Sequence, residues 1–228
     1  MMTTDTVDDI MEAVRARLVA LVRDRPFRFI NTRRDDAEAF LASLETFAGL
    51  DEKEILALET QCGLPFPAVY RGYLRHFGKA RGQLFQGSDT DPLQAANYRE
   101  WAKQLLAESK SPYQLGDSVF VFQFHQGYSF LYFEAGQAPD SPIHQFSEGD
   151  PKSRLIAPTF CRLLEMELAR LEQENKAQLA AGGYYLRLVG DRQEISFPPA
   201  GSGERPIDQD EQFNGRLATF SQRLRKST

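Results

Sequence analysis

Apolar positions along the chain change period several times, and each change marks an element. Val7, Ile10, Met11, Val14, Leu18 and Leu21 recur at helical spacing with charges on the opposite face, which predicts an amphipathic helix over the first two dozen residues. Phe40, Leu44 and Phe47 carry a second helical pattern that ends at Gly49. Asp51 and Glu54 stand at capping-box spacing, so a short helix starts there, turns Ile55, Leu58 and Cys62 inward and stops at Gly63, which suits a left-handed cap. Leu64-Pro65-Phe66-Pro67 forbids continuation, and Pro67 opens a further helix with Tyr70, Leu74 and Phe77 on one face and Gly78 at its end. Gln83 to Gly87 reads as a short strand, and Gly87 to Pro92 as a loop that caps the helix bearing Tyr98, Trp101 and Leu105.

The strongest strand signal follows. Val119 to Phe124 and Tyr128 to Phe133 are β-branched and aromatic runs separated by Gly127, the pattern of an antiparallel hairpin, and Ile143 to Phe146 supplies a further strand. From Thr159 a long helix carries Phe160, Leu163, Leu164, Leu168 and Leu171 as far as Gly182-Gly183. Tyr184 to Val189 and Glu194 to Phe197 predict two more strands joined through Gly190-Asp191. The Pro- and Gly-rich segment Pro198 to Pro206 reads as a linker to a terminal helix through Phe213, Leu217 and Phe220. No internal repeat is present.

Composition narrows the function classes. A chain of 228 residues with 27 Lys+Arg against 32 Asp+Glu has a net charge of -5, which opposes any general affinity for phosphate backbones and argues against nucleic acid as a direct partner. Cys62 and Cys161 lie too far apart for a CxxC-type site and are expected to be reduced and buried. The start, Met1-Met2-Thr3-Thr4-Asp5, leads into an acidic segment without the basic and apolar runs of a secretory signal. No stretch reaches the roughly 20 apolar residues that span a bilayer, so the expected location is the cytoplasm, away from membranes. Between Arg23 and Arg34, five arginines (Arg23, Arg25, Arg28, Arg33 and Arg34) face the single acid Asp24, a pattern read as a solvated connector.

Glu54 to Phe85 resembles the SUKH superfamily, which includes bacterial polymorphic-toxin immunity proteins and fungal regulators of cell-wall synthesis. The similarity rests on Ile55 and Glu59 of the first helix, Gly63-Leu64-Pro65 at the corner, Tyr70 and Leu74 of the second helix, and Phe77-Gly78 after it. A second block, with His125-Gln126-Gly127-Tyr128 and Tyr132-Phe133, is similar to the hairpin that follows in that family. Together they cover roughly residues 51 to 150. The resemblance implies an α+β fold, an antiparallel sheet with helices packed on it, no catalytic residues and use as a protein-binding module. The expected organisation is a helical amino-terminal extension over 1–50, a SUKH-like domain over 51–197, and a linker with a carboxy-terminal helix over 198–228.

Chemistry elsewhere is sparse. His76, His125 and His144 lack zinc-ligand spacing, and Gly127-Tyr128-Ser129-Phe130-Leu131 lacks the second glycine of a nucleophile elbow. Asp89 and Asp91 without the remaining ligands of a calcium loop are better read as helix caps, and Glu59 as a hydrogen-bond acceptor for nearby backbone amides. No metal or other cofactor is called for. Charge distribution says more: from Ser111 to Pro151 there is no Lys or Arg, while Asp117, Glu134, Asp140, Glu148 and Asp150 are acidic. An acidic surface rich in Tyr and Phe suits a basic toxin domain such as a nuclease, and the same pattern suits acids that keep a sheet edge soluble over an aromatic core. Both readings stay open here.

The expected function is therefore an immunity protein that neutralises a toxin by direct binding. Asp117, His125, Tyr128, Tyr132 and Glu134 are the contact candidates, with Asp89, Asp91 and Trp101 as a second group. Glu59, Gly63, Leu64, Pro65, Tyr70, Gly78 and Gly127 form the structural motif. The alternative is a regulatory scaffold resembling the fungal branch, in which the amino-terminal helix and the Arg23 to Arg34 run recruit a cellular partner.

Overall fold

In the computed structural model, residues 4–23, 27–30, 34–136, 138–180, 184–189, 192–196 and 217–219 are described, with side chains over 4–23, 39–136 and 138–180. The chain is α+β and divides into two compact units, Met1–Ala16 with Thr46–Leu168, and Arg17–Glu45 with Ala169–Thr228.

The first unit is built on the antiparallel sheet β4 (Val119–His125), β5 (Ser129–Glu134), β6 (Ile143–Ser147) and β7 (Arg154–Ala157), in that order. Nearly every residue of β4 and β5 is buried, because helices cover both faces. On one face, Val119, Val121, Phe124, Phe130, Tyr132 and Phe146 meet Tyr98, Ala102, Leu105 and Leu106 of α5 (Ala95–Glu108). On the other, Phe120, Phe122 and Phe133 surround the Tyr70 ring of α4 (Ala68–Phe77), with centroids 5.1 to 5.9 Å away, and Phe160 of α6 (Phe160–Ala180) joins them at 5.3 Å. A bulge between Val121 and Gln123 makes this possible. The extra residue resets the alternation, so Phe124 shares the α5 face with Val119 and Val121.

The helix–corner–helix forms as its sequence dictates. Glu54 N–H donates to Asp51 Oδ1 (2.8 Å) and Asp51 N–H to Glu54 Oε2 (2.7 Å), closing the capping box of α3 (Glu52–Cys62). Gly63, at φ 67°, ends it: its N–H reaches the Thr60 carbonyl and the Leu64 N–H reaches that of Glu59. Gly78 closes α4 differently, at φ -64°, and its lack of a side chain serves close approach, since a Cβ there would sit 2.6 Å from the Leu74 carbonyl oxygen.

The amino-terminal helix α1 (Thr4–Arg23) places Val7, Met11 and Val14 in the core, and its residues up to Ala16 belong to the first unit rather than to a separate 1–50 extension. Val7 occupies the space that Gly72 leaves: a Cβ at Gly72 would lie 2.2 Å from Val7 Cγ1. Asp8 accepts from Arg75 (3.0 Å) and lies 3.1 Å from His76 Nε2, while Glu12 lies 3.4 Å from His76 Nδ1. Burial raises the Asp8 carboxyl, but the bonds to His76 and Arg75 prevail and hold it below its ordinary value.

Other expectations are corrected. The second helical pattern ends early: α2 (Arg34–Leu44) stops before Phe47, which lies in β2 (Phe47–Ala48), paired with β3 (Ala80–Arg81). There the Phe47 ring meets Phe77 edge-on at 5.8 Å under the Arg15 guanidinium. Gln83 to Gly87 is a run of turns and not a strand, because Phe85 and Gly87 adopt φ of 55° and 83°. The Phe85 amide is held by Glu167 at 2.9 Å.

In the second unit, β1 (Phe27–Ile30) pairs in parallel with β8 (Tyr184–Val189), which pairs antiparallel with β9 (Arg192–Ser196), and that with β10 (Leu217–Thr219). Part of the arginine-rich "connector" is thus a strand. Leu217 is in a strand rather than a terminal helix; Phe213, Phe220, Gly182-Gly183, Gly190-Asp191 and the 198–206 linker lie outside the described residues. Arg17 and Glu172 form a two-point ion pair at 2.9 and 2.5 Å.

Candidate protein-docking surface

Burial decides which sequence candidates can touch a partner. Tyr132 cannot: it is 2% exposed, its ring stacks between those of Tyr113 (5.9 Å) and His144 (5.3 Å), and its hydroxyl donates to Ser153 Oγ at 2.7 Å. The contact role expected of it is corrected to a core role, because α5 covers the face onto which it points. Asp140 is not a docking acid either. Its carboxylate accepts from the Phe160 amide at 2.7 Å and from the Cys161 amide, which fixes the first turn of α6.

The remaining candidates separate along the hairpin. Asp117 is fully exposed, 4.0 Å from Arg99, and Glu134 pairs in register with Val119 at the same end of the sheet. His125 and Tyr128 lie at the other end, about 20 Å away along the seven residues of β4. At that tip Gln126 and Gly127 have φ of 47° and 85°, the left-handed pair that a tight hairpin turn demands. Tyr128 is 43% exposed and its carbonyl accepts the Glu148 amide (2.8 Å), which joins the tip to the turn after β6. Its ring meets His125 edge-on at 5.2 Å.

His125 also anchors a loop. Ser88 Oγ lies 2.9 Å from His125 Nδ1 and accepts from Gln123 Nε2 at 3.0 Å. A serine–imidazole pair is also how nucleophiles are activated. Here the pair sits beside reciprocal backbone bonds between Asp89 and Phe124 (2.7 and 2.8 Å), so its work is to seal the 86–91 loop onto the β4 edge.

That loop leads into α5. Asp91 accepts from the Leu93 amide at 3.0 Å and caps a single 3₁₀ turn, Pro92–Gln94, that runs straight into the helix. The capping role read from sequence for Asp91 is the observed one. Trp101, grouped by spacing with Tyr98 and Leu105, lies at the margin of the buried face: its ring rests on Tyr98 (5.6 Å) and Phe124 (5.8 Å) and is 38% exposed, while the other two are buried. Leu93, in that 3₁₀ turn, is 63% exposed and was missed; its i, i+4, i+8 spacing with Asn97 and Trp101 is the signal that could have found it.

The structural motif residues hold the corner. Glu59 accepts the Phe66 amide at 2.7 Å with one oxygen and pairs with Arg71 through the other, while Arg71 also reaches Glu52. One half-buried carboxylate thus fixes the chain where Leu64 and Pro65 turn it. The thiols are poor nucleophiles: burial raises Cys62, and burial together with the bond to Asp140 pushes Cys161 up to about 12. Among the described residues, no three His, Cys, Asp or Glu side chains could hold a metal ion, and no helix is long and apolar enough to cross a membrane.

Neither a known family model nor a curated protein matches the sequence.

Proposed function

We propose that the chain is a SUKH-type immunity protein that acts in the cytoplasm by binding a basic toxin domain stoichiometrically, without turnover or cofactor. The observation that carries this reading is where the negative charge lies. The first unit has 12 Lys+Arg against 19 Asp+Glu, the second 15 against 13, so the excess of acid belongs to the unit that carries the resemblance. Within it, Ser111 to Pro151 contains no basic residue. Such a field speeds encounter with a cationic partner and disfavours nucleic acid itself, so a nuclease is met through its own basic face. The order of a capped helix, a proline corner, a second helix and an aromatic hairpin supports the same reading.

The test is co-expression with the product of the adjacent gene. Rescue of growth from that product's toxicity, with a stable one-to-one complex on co-purification, is the expected result. Absence of both toxicity and complex would sink the immunity reading and favour the regulatory scaffold.

A further inference from the structure

A helix on the surface of a globular unit normally turns charged side chains to water. The outward face of α5 follows this at Glu100, Lys103 and Glu108 and departs from it along one line, which starts in the 3₁₀ turn before the helix. Leu93, Asn97, Trp101 and Gln104 follow one another at intervals of four, four and three residues, all exposed and all uncharged. Two of them, Leu93 and Trp101, are among the large apolar side chains left in contact with water. Glu100 and Lys103 flank the line and are paired with each other, while the neighbours of Trp101 one turn away along it, Asn97 and Gln104, are uncharged. An exposed tryptophan among uncharged neighbours suits the centre of a protein interface, where an aromatic ring supplies area at little entropic cost. The Trp101 ring is backed on its inner side by Tyr98 and Phe124.

The charges on the approach to the stripe have one sign. From Gly82 through Tyr98 there is no Lys or Arg, while Asp89 and Asp91 lie on the loop and turn that lead into the helix. The nearest cations are turned to other work: Arg99 donates to the carbonyls of Val119 (2.5 Å) and Gly116 (2.9 Å), and Lys103 is paired with Glu100 at 2.7 Å.

We propose that this face of α5 is the docking surface for a basic segment of a partner protein. That segment lays apolar side chains on Leu93 and Trp101 and directs Lys or Arg toward Asp89 and Asp91. The proposal rests on the protein-binding reading above and assigns it a surface. It shifts the weight from the hairpin, most of whose aromatics are interior, to the second group of candidates.

Trp101 is the chain's single tryptophan, so its fluorescence reports on this face alone. The experiment titrates the full chain with a short helical peptide of leucine and lysine at physiological ionic strength, with the leucine–glutamate counterpart as control. Expected are a blue shift of Trp101 emission, a fall of about twofold in acrylamide quenching, and binding about tenfold weaker in Leu93→Lys. The variant's unaltered circular dichroism would show that its fold is intact. Peptide binding by anisotropy without a change at Trp101, no binding at all, or equal binding of the glutamate peptide would each overturn the proposal. The growth test separates it from the immunity reading: rescue that survives Leu93→Lys and Trp101→Arg together removes the docking face and leaves immunity standing.

Discussion

The β4–β5 hairpin and the outer face of α5 are both apolar and aromatic, and they have opposite fates. In the hairpin Phe120, Phe122, Phe124, Phe130, Tyr132 and Phe133 are all buried, because helices lie on both faces of the sheet. At α5 and the 3₁₀ turn that leads into it, Trp101 and Leu93 remain in water although the helix is otherwise amphipathic. Aromatic content alone therefore says nothing about exposure. What distinguishes the two is the period: the strands are apolar at successive positions, as a sheet covered twice must be, whereas the α5 pair stands apart from its helix's own inward face.

The contrast can be broken first where it is largest. Phe130→Ala should cost about 3–5 kcal/mol, since the ring is fully buried among Phe124, Tyr132 and Phe146. A guanidinium titration with unchanged slope measures it, and a loss below about 1 kcal/mol would mean that α5 does not cover that face. Tyr132→Phe should cost about 1 kcal/mol, the worth of its hydroxyl bond to Ser153, and should leave partner affinity unaltered. A drop in affinity with no drop in stability would return Tyr132 to the surface. Leu93→Lys should change stability by no more than about 0.5 kcal/mol, as befits an exposed side chain, so that any effect on binding is read directly.

Much of this architecture was legible beforehand, and the failures have physical causes. Asp51, Glu54, Gly63 and the two prolines encode the corner by local rules that no tertiary contact overturned. The hairpin was equally plain. Phe27–Ile30 was hidden because Arg28, within a run of arginines, drew attention to charge and away from the alternation of Phe27 and Phe29. Gln83 to Gly87 misled because its buried Leu84 and Phe85 are apolar like a strand, and only left-handed backbone angles show the turns. For the surface, residue type proposed Tyr132 as a contact and counted Asp140 among the acids of the same block. It had no means of knowing that one would be covered by a helix and the other committed to the amides at the start of α6.

Gly72 has a bearing on how this protein can be divided. With no side chain at that position, α4 carries a notch shaped for Val7, and the polar groups at its end, Arg75 and His76, wait for Asp8 and Glu12 one turn apart. A fragment begun at residue 51, where the capping box of α3 begins, would display that notch and a line of unmatched cationic and imidazole groups to solvent. Such a piece would be sticky in the test tube for reasons unrelated to its partner, and the smallest faithful unit for binding work is one that keeps α1.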